Sequence, residues 1–145
     1  MYTYRCVIKK VVDGDTVDID IDLGFYVWLK DQRVRVYKID APESRTSDRL
    51  EKIFGIAAKS RVESLLLIGE KYVITTYISD SKTDLREKFG RILADFDLPN
   101  LNSTLSQVLI NEGHAVPYNG ESKEELRQLH EKNRTRLINE GKVKI

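Results

Sequence analysis

The sequence predicts an all-β core with helices: a five-stranded, partly open barrel of the OB type, accompanied by three α-helices. One observation is the strict alternation over 17–23, where Val, Ile and Leu at odd positions alternate with aspartates. This period of two indicates a strand with one buried face. The other observation is the order of the elements, which is three strands, a helix, two strands and two helices. That order fits the OB barrel, while a different α+β sheet remains open as an alternative.

Three strands are predicted before the first helix. The first covers 2–12, and the turn residues at 13–15 separate it from the second, at 17–23. The third alternates Val34 and Val36 with basic residues. It ends at Asp40-Ala41-Pro42, because proline cannot continue a ladder of hydrogen bonds.

The connection between the second and third strands is apolar and aromatic, with Phe25, Tyr26 and Trp28. We expect Tyr26 to Trp28 to extend the hairpin and Lys30-Asp31-Gln32 to form its tip. The aromatic side chains are expected to add to the core; a stacking surface or a contact with a partner protein are the alternatives. The aspartates of the second strand are expected to be a solvated strand face rather than a metal site.

Helices and strands share the second half of the chain. Apolar residues at helical spacing predict a helix from Phe54 to Leu66, with Gly69 as its stop. Residues 72–78 and 91–98 are predicted as the fourth and fifth strands, because they are rich in β-branched or alternating apolar residues. The polar, charged segment 79–90 is typical of a loop.

Capping residues predict the last two helices. Ser103 or Thr104 can cap a helix that ends at Gly113. Ser122 and Glu125 form a capping box for a third helix that ends at Gly141.

Composition and charge narrow the class of protein. The 145 residues, 41% of them hydrophobic and 32% charged, predict one domain over 1–145. A single cysteine, Cys6, excludes an internal disulfide and any multi-cysteine zinc site, and it is expected to pack as a small hydrophobic residue. The 24 basic and 23 acidic residues give a net charge of +1, so any binding of nucleic acid requires local charge placement.

No targeting signal is recognised. The N-terminal residues lack the basic and apolar regions of a signal peptide. No apolar stretch approaches the ~20 residues that span a bilayer. We therefore expect a cytoplasmic location with no membrane partner, in a bacterial cell or in phage biology.

Two carboxylates at strand ends are candidate metal ligands. Asp15 begins the second strand and Asp40 ends the third. Each alone is more simply explained as a solvated turn residue. Together they can converge on a hard cation, which prefers oxygen ligands.

Arg35, Glu43 and Arg91 supply the other groups that phosphodiester hydrolysis needs. Arginines grip phosphate oxygens and stabilise the negative charge of the transition state. Glu43, on the loop after Pro42, can remove a proton from the attacking water. Because Arg35 and Asp40 are five residues apart, they lie on opposite faces of a regular strand, so a bulge or curl is needed to bring them together.

Three motifs resemble those of the staphylococcal nuclease (thermonuclease) family. They occur in the family's order, and they are Val12-Asp13-Gly14-Asp15-Thr16-Val17, Arg35-Val36-Tyr37-Lys38-Ile39-Asp40-Ala41-Pro42-Glu43 and Lys88-Phe89-Gly90-Arg91. The resemblance extends from about Val11 to the third helix. It implies an OB barrel with three helices.

The resemblance also implies one Ca²⁺ ion. Its ligands would be the carboxylates of Asp15 and Asp40 and the backbone carbonyl of Ala41. Ala41 stands where the family usually has Thr, but it keeps the carbonyl. Asp13 would be an acid in the outer shell of the metal.

The remaining roles concern the substrate. Arg35 and Arg91 match the phosphate-binding arginines and Glu43 matches the general base. Lys88 resembles a residue near the terminal phosphate of the substrate.

Two aromatic positions depart from the family's pattern or match it only loosely. Phe89 replaces a tyrosine, so it can stack but cannot donate a hydrogen bond. Tyr118 is the candidate platform for base stacking and is equally well explained as a partly buried loop residue. His114 and His130 lack partners at zinc spacing and are assigned no role.

These observations predict a Ca²⁺-dependent endonuclease that hydrolyses phosphodiester bonds of DNA and RNA. The family's chemistry implies preference for single-stranded regions and 3′-phosphate products, and a monomer is expected. One alternative is an inactive OB-type module that binds nucleic acid or protein. Another is a structural protein that binds a partner through the aromatic hairpin.

Overall fold

The computed structural model describes residues 2–77 and 90–145. The strands of this part of the chain are β1 (Tyr2–Asp13), β2 (Thr16–Asp22), β3 (Trp28–Val36), β4 (Ile39–Asp40), β5 (Lys71–Thr76), β6 (Ile92–Leu98), β7 (Ser103–Thr104) and β8 (Val116–Pro117). Its helices are α1 (Arg49–Leu65), α2 (Leu105–Glu112) and α3 (Lys123–Asn139), with a short 3₁₀ turn at Pro99–Leu101.

The five long strands close on themselves. β1 pairs antiparallel with β2 and with β5, β2 pairs with β3, and β5 pairs with β6. β3 then pairs in parallel with β6 from Val34 to Val36, which completes the ring. The predicted five-stranded core with three helices is confirmed. Two short pairings were not predicted from the sequence: β7 with β6, and β4 with β8.

The interior of the ring holds the main hydrophobic core. The alternation along β2 is confirmed, because Val17, Ile19 and Ile21 are buried. Cys6 is fully buried among them, as expected. Burial raises the pKa of its thiol to about 12, so this cysteine is a packing residue rather than a reactive one.

The prediction for the hairpin tip is wrong. β3 begins at Trp28, so Lys30, Asp31 and Gln32 lie within the strand. The chain reverses at residues 24–27, where Val27 donates a backbone hydrogen bond to Gly24. The predicted tip was based on polar residues, but β3 continues through them, with Lys30 and Asp31 exposed and Gln32 half-buried.

The expectation that the hairpin aromatics add to the core is also wrong. Phe25 and Tyr26 are 98% and 100% exposed, and Trp28 is 38% exposed. Phe25 and Tyr26 lie in the turn beyond the end of the β2–β3 ladder, Trp28 is the first residue of β3, and none of the three belongs to the hydrophobic core.

Asp20 contradicts the prediction of a uniformly solvated aspartate face. It is only 4% exposed, and its carboxylate accepts hydrogen bonds from the Asp31 backbone N–H and the Lys30 ammonium. A register shift in the β2–β3 ladder between Ile19 and Ile21 brings the backbone of Asp31 to this carboxylate.

Helix α1 starts earlier than predicted. Asp48 is its N-cap, and its carboxylate accepts hydrogen bonds from the backbone of Leu50 and Glu51. The apolar spacing begins only at Phe54, which is why the polar first turn was missed. The caps predicted for the other helices are confirmed, with Thr104 before α2 and Ser122 before α3.

The limits of the predicted strands shift slightly. β2 covers Thr16–Asp22 rather than 17–23, and Leu23, which was predicted on its buried face, is 44% exposed. β5 starts one residue earlier than predicted and ends at Thr76, and β6 starts at Ile92 rather than Arg91. Ile78 and residues 79–89 of the predicted loop 79–90 lie outside the described residues. No helix in the described part of the chain is both long and apolar enough to span a membrane.

Candidate active site

The turn between β1 and β2 presents Asp15. Residues 14 and 15 connect the paired positions Asp13 and Thr16. A Cβ on Gly14 would lie 2.9 Å from the Ala58 Cβ and 3.0 Å from the Ala41 Cβ. The missing side chain therefore lets helix α1 and the segment after β4 pack directly on this turn.

Asp15 is held by two hydrogen bonds and one ion pair. Its Oδ2 accepts a hydrogen bond from the Ala41 backbone N–H at 3.0 Å, and its Oδ1 accepts one from the Thr16 hydroxyl at 2.9 Å. The Arg35 Nη1 lies 2.9 Å from Oδ2 without forming a hydrogen bond in the described structure, so this contact is an ion pair.

A turn brings Asp40 to the same place. After β3 the chain turns at Tyr37 and Lys38, and Lys38 has a φ of 56°. This turn brings Arg35 and Asp40 together, in place of the bulge or curl that their spacing in a regular strand would need. The Arg35 Nη2 lies 3.5 Å from the Asp40 Oδ1, so one guanidinium contacts both candidate metal ligands.

The Asp15 carboxylate is suited to binding a cation, because it is largely buried and lies beside the charge of Asp40. Its side chain is 13% exposed. Burial raises the pKa of its carboxyl, and the Asp40 charge raises it further, whereas Arg35 and the hydrogen bonds from Ala41 and Thr16 lower it. A partly desolvated carboxylate gains more from a bound cation than one in water does.

Asp13 positions the loop that carries Glu43. Its Oδ1 accepts hydrogen bonds from the backbone N–H of Ser44, at 3.0 Å, and from the Ser44 hydroxyl. The Glu43 backbone N–H donates to the Glu51 carboxylate of α1 at 3.1 Å. The residue predicted as an outer-shell acid thus contacts the loop after Pro42 directly.

Helix α1 packs on this loop at Gly55. A Cβ at Gly55 would lie 2.1 Å from the Glu43 carbonyl oxygen. Only glycine allows the helix to approach so closely. Sequence reasoning missed Gly55, because a glycine inside a helical pattern carries no periodic signal.

Glu43 is exposed and faces a concentration of negative charge. Desolvation raises the pKa of its carboxyl, and the charges of Glu51, Asp13, Asp15 and Asp40 raise it further. A raised pKa brings a carboxylate closer to the pH at which a general base works best.

Sequence reasoning also missed His130. It lies on α3, and its Nε2 is 2.8 Å from the Asp40 Oδ2. Asp40 is therefore held on one oxygen by Arg35 and on the other by His130. A search for zinc spacing could not detect this contact, because it joins residues 90 positions apart in the chain.

For two other predicted site residues, Arg91 and Tyr118, the structure gives the position in the fold. Arg91 directly precedes β6, whose Leu93 pairs with Arg35, so it lies at the start of the strand that pairs with β3. The Tyr118 backbone N–H donates to the Lys38 carbonyl, which places this 39% exposed residue beside the turn that carries Asp40. Lys88 and Phe89 lie outside the described residues, and their roles stay predictions.

The donor set fits a hard cation. Within residues 2–77 and 90–145, no three His, Cys, Asp or Glu side chains are grouped in a way that could hold a metal. Two carboxylates do meet, however, and hard cations complete their shells with backbone carbonyls and water. Arg35 forms ion pairs with Asp15 and Asp40, and the charges of Asp13, Asp15 and Asp40 also act on Glu43, so this concentration of acids favours a bound cation.

The fold and this cluster define a small OB-barrel protein with carboxylates and arginine at one site. The family model of staphylococcal nuclease homologues matches residues 33–139. This match covers most of the chain, which therefore belongs to the staphylococcal nuclease family, a family generally of nucleases that act on nucleic acids. A search of curated proteins found no significant match.

The matched range includes some of the candidate residues and leaves out others. Arg35, Asp40 and Glu43 lie within it. Asp13 and Asp15 precede it, so their place in the site depends on the contacts described above.

Proposed function

We propose that this protein is a Ca²⁺-dependent endonuclease that hydrolyses the phosphodiester bonds of DNA and RNA, prefers single strands and leaves 3′-phosphates. The contact of Arg35 with both Asp15 and Asp40, at 2.9 Å and 3.5 Å, carries this proposal. It gathers two hard-cation ligands and a phosphate-binding group at one place, beside the loop of Glu43.

Asp15, Asp40 and the Ala41 carbonyl are the groups that would hold the calcium ion. The bound ion would supply positive charge to polarise the phosphate. Because two carboxylates already position Arg35, its guanidinium needs little reorganisation to bind the phosphate oxygens. Arg91 is the candidate for the second arginine.

Glu43 is the proposed general base. Its carboxylate removes a proton from water, the water oxygen bonds to phosphorus, and the bond from phosphorus to the 5′ oxygen breaks. The leaving 5′ oxygen takes up a proton from solvent water, and the phosphate stays on the 3′ side. The raised pKa of Glu43 suits this proton transfer.

The test is cleavage of single-stranded DNA and RNA by the wild-type protein in Ca²⁺ and in chelator. Cleavage only in Ca²⁺, its loss in Asp15→Asn by about 100-fold or more, and 3′-phosphate ends are expected. Glu63→Gln is the matched control, since this exposed carboxylate of α1 lies outside the site. No cleavage in Ca²⁺ would leave the inactive OB-type binding module as the better account.

A further inference from the structure

The tip of the β2–β3 hairpin has a backbone that its residues do not favour. Phe25 and Tyr26 have φ values of 53° and 63°, and the Val27 N–H donates to the Gly24 carbonyl at 2.9 Å. Two central residues with positive φ under such a bond correspond to a type I′ turn. Asn-Gly is the preferred pair in this turn, because bulky side chains disfavour positive φ.

Burial does not compensate for this conformation. The Phe25 and Tyr26 rings are 98% and 100% exposed, and their neighbour Val27 is 52% exposed. Neither turn preference nor packing therefore explains two aromatic residues here. A strained, exposed pair of this kind indicates a functional role.

Residues 23–28 are called the aromatic tip. The paired strands β2 and β3 extend from this tip to the candidate active site. Trp28 pairs with Asp22 at the tip end of the ladder, and Arg35 pairs with Thr16 at the site end. The seven residues of β2 span ~20 Å at the rise of a strand. The β2–β3 surface thus connects Arg35 to the aromatic rings.

Two cations lie between these ends, and both are already paired. Arg33 makes two hydrogen bonds to the Asp18 carboxylate, at 2.8 Å and 3.0 Å. The Lys30 Nζ lies 3.4 Å from the Asp20 carboxylate and 5.2 Å from the centre of the Trp28 ring. The surface therefore offers aromatic faces without a strong positive field.

We propose that the aromatic tip is a base-stacking platform for single-stranded nucleic acid. A strand with one phosphate at Arg35 follows the outside of β2 and β3 and stacks its bases on Phe25, Tyr26 and Trp28. Strands 2 and 3 of OB barrels form an oligonucleotide-binding face, and base stacking needs little charge. The position of the phosphate at Arg35 rests on the function proposed above.

The geometry sets a minimum length for the ligand. A stacked strand advances ~3.4 Å per nucleotide, so ~20 Å corresponds to about six nucleotides. A dT12 oligonucleotide can reach from Arg35 to the tip, whereas dT3 cannot.

The test uses the double variant Phe25→Asn/Tyr26→Gly, which installs the pair that the turn prefers. Its thermal midpoint should rise above that of the wild type, which excludes misfolding as the cause of any loss. Binding of fluorescein-labelled dT12 in chelator, measured by anisotropy, should weaken about tenfold or more. Binding of dT3 should not change, and dT12 should quench Trp28 fluorescence in the wild type.

Equal dT12 affinity of variant and wild type would overturn the proposal. So would a tip effect seen only on phosphatidylcholine–phosphatidylglycerol vesicles, or only on a dimer in sedimentation. Tip-dependent dT12 binding without cleavage in Ca²⁺ would uphold the platform and reject the proposed nuclease. Cleavage with tip-independent dT12 binding would do the reverse.

Discussion

At the scale of single residues, the candidate site depends on how its carboxylates are held. The Asp40 carboxylate has one oxygen near Arg35 and the other on His130 of α3. A hydrogen bond to a metal-ligating carboxylate restricts its orientation, so that less freedom is lost when the ion binds. We therefore propose that His130 positions Asp40 for the metal ion.

Replacing His130 tests this role. His130→Phe should weaken Ca²⁺ binding about tenfold or more, measured by calorimetry without substrate. His130→Gln, which keeps an N–H donor, should recover much of the affinity. Lys132→Ala, at an exposed position of the same helix, is the control. If His130→Phe binds Ca²⁺ as the wild type does, the contact has no positioning role.

His114 gives the fold a dependence on pH. It is 8% exposed, and its Nδ1 has no hydrogen-bond partner among the described residues. Burial lowers the pKa of its imidazole, and Lys142, Arg61 and Arg136 lower it further, whereas Glu112 raises it. The unfolded chain therefore binds this proton more readily than the folded one.

We expect the free energy of unfolding to fall as the pH drops through about 6.5, the usual pKa of histidine, toward the lower pKa of the folded state. Above that window His114 is neutral in both states and contributes no such effect. Denaturant unfolding of the wild type and His114→Gln between pH 5 and pH 8 measures the difference. Parallel pH profiles for the two proteins would contradict this account.

At the scale of elements, the close packing of α1 on the loop of Glu43 requires Gly55. An alanine Cβ would lie 2.1 Å from the Glu43 carbonyl oxygen and 2.6 Å from the Ser44 nitrogen, both of which are backbone atoms. The helix or the loop must move to admit it. Because Asp13 anchors the same loop through Ser44, the displacement reaches the proposed general base.

Gly55→Ala should lower the free energy of unfolding by about 1–3 kcal/mol, as overpacked positions do. This is the opposite of the gain of ~1 kcal/mol that helix propensity alone gives. Ser60→Ala, at an exposed position of α1, is the control and should be near neutral. Denaturant unfolding and Ca²⁺-dependent cleavage are measured together. A Gly55→Ala protein that is as stable and active as the wild type would refute the packing argument.

Local patterns were sufficient to predict most elements. The alternation of apolar residues with aspartates predicted β2, and Thr104 and Ser122 predicted the starts of two helices. These signals involve residues that are close together in the sequence. The meeting of Arg35 with Asp40 could not be derived, because it depends on the positive φ of Lys38. The contact of His130 depends on how α3 packs beside β8, which no spacing reveals. The exposed Phe25 and Tyr26 misled the prediction, because hydrophobic residues usually indicate core.

At the scale of the whole molecule, a net charge of +1 conceals a local concentration of charge. Acids that would hold a cation cancel the arginines in the sum, although both would serve the same phosphate. Near-neutrality argues against a broad basic surface of the kind that coats duplex DNA. It is consistent with a small site and a stacking surface. One domain over 1–145 stays a prediction.

We propose that Asp15, Asp40, Arg35 and Glu43 form one catalytic site. This claim is tested by the cleavage rate of a single-stranded oligonucleotide by Glu43→Gln at saturating Ca²⁺, with Ca²⁺ affinity measured on the same protein. We expect the rate to fall about 100-fold or more while the Ca²⁺ dissociation constant changes little, because Glu43 is assigned to the water and not to the metal. A Glu43→Gln protein that cleaves at the wild-type rate would contradict the claim.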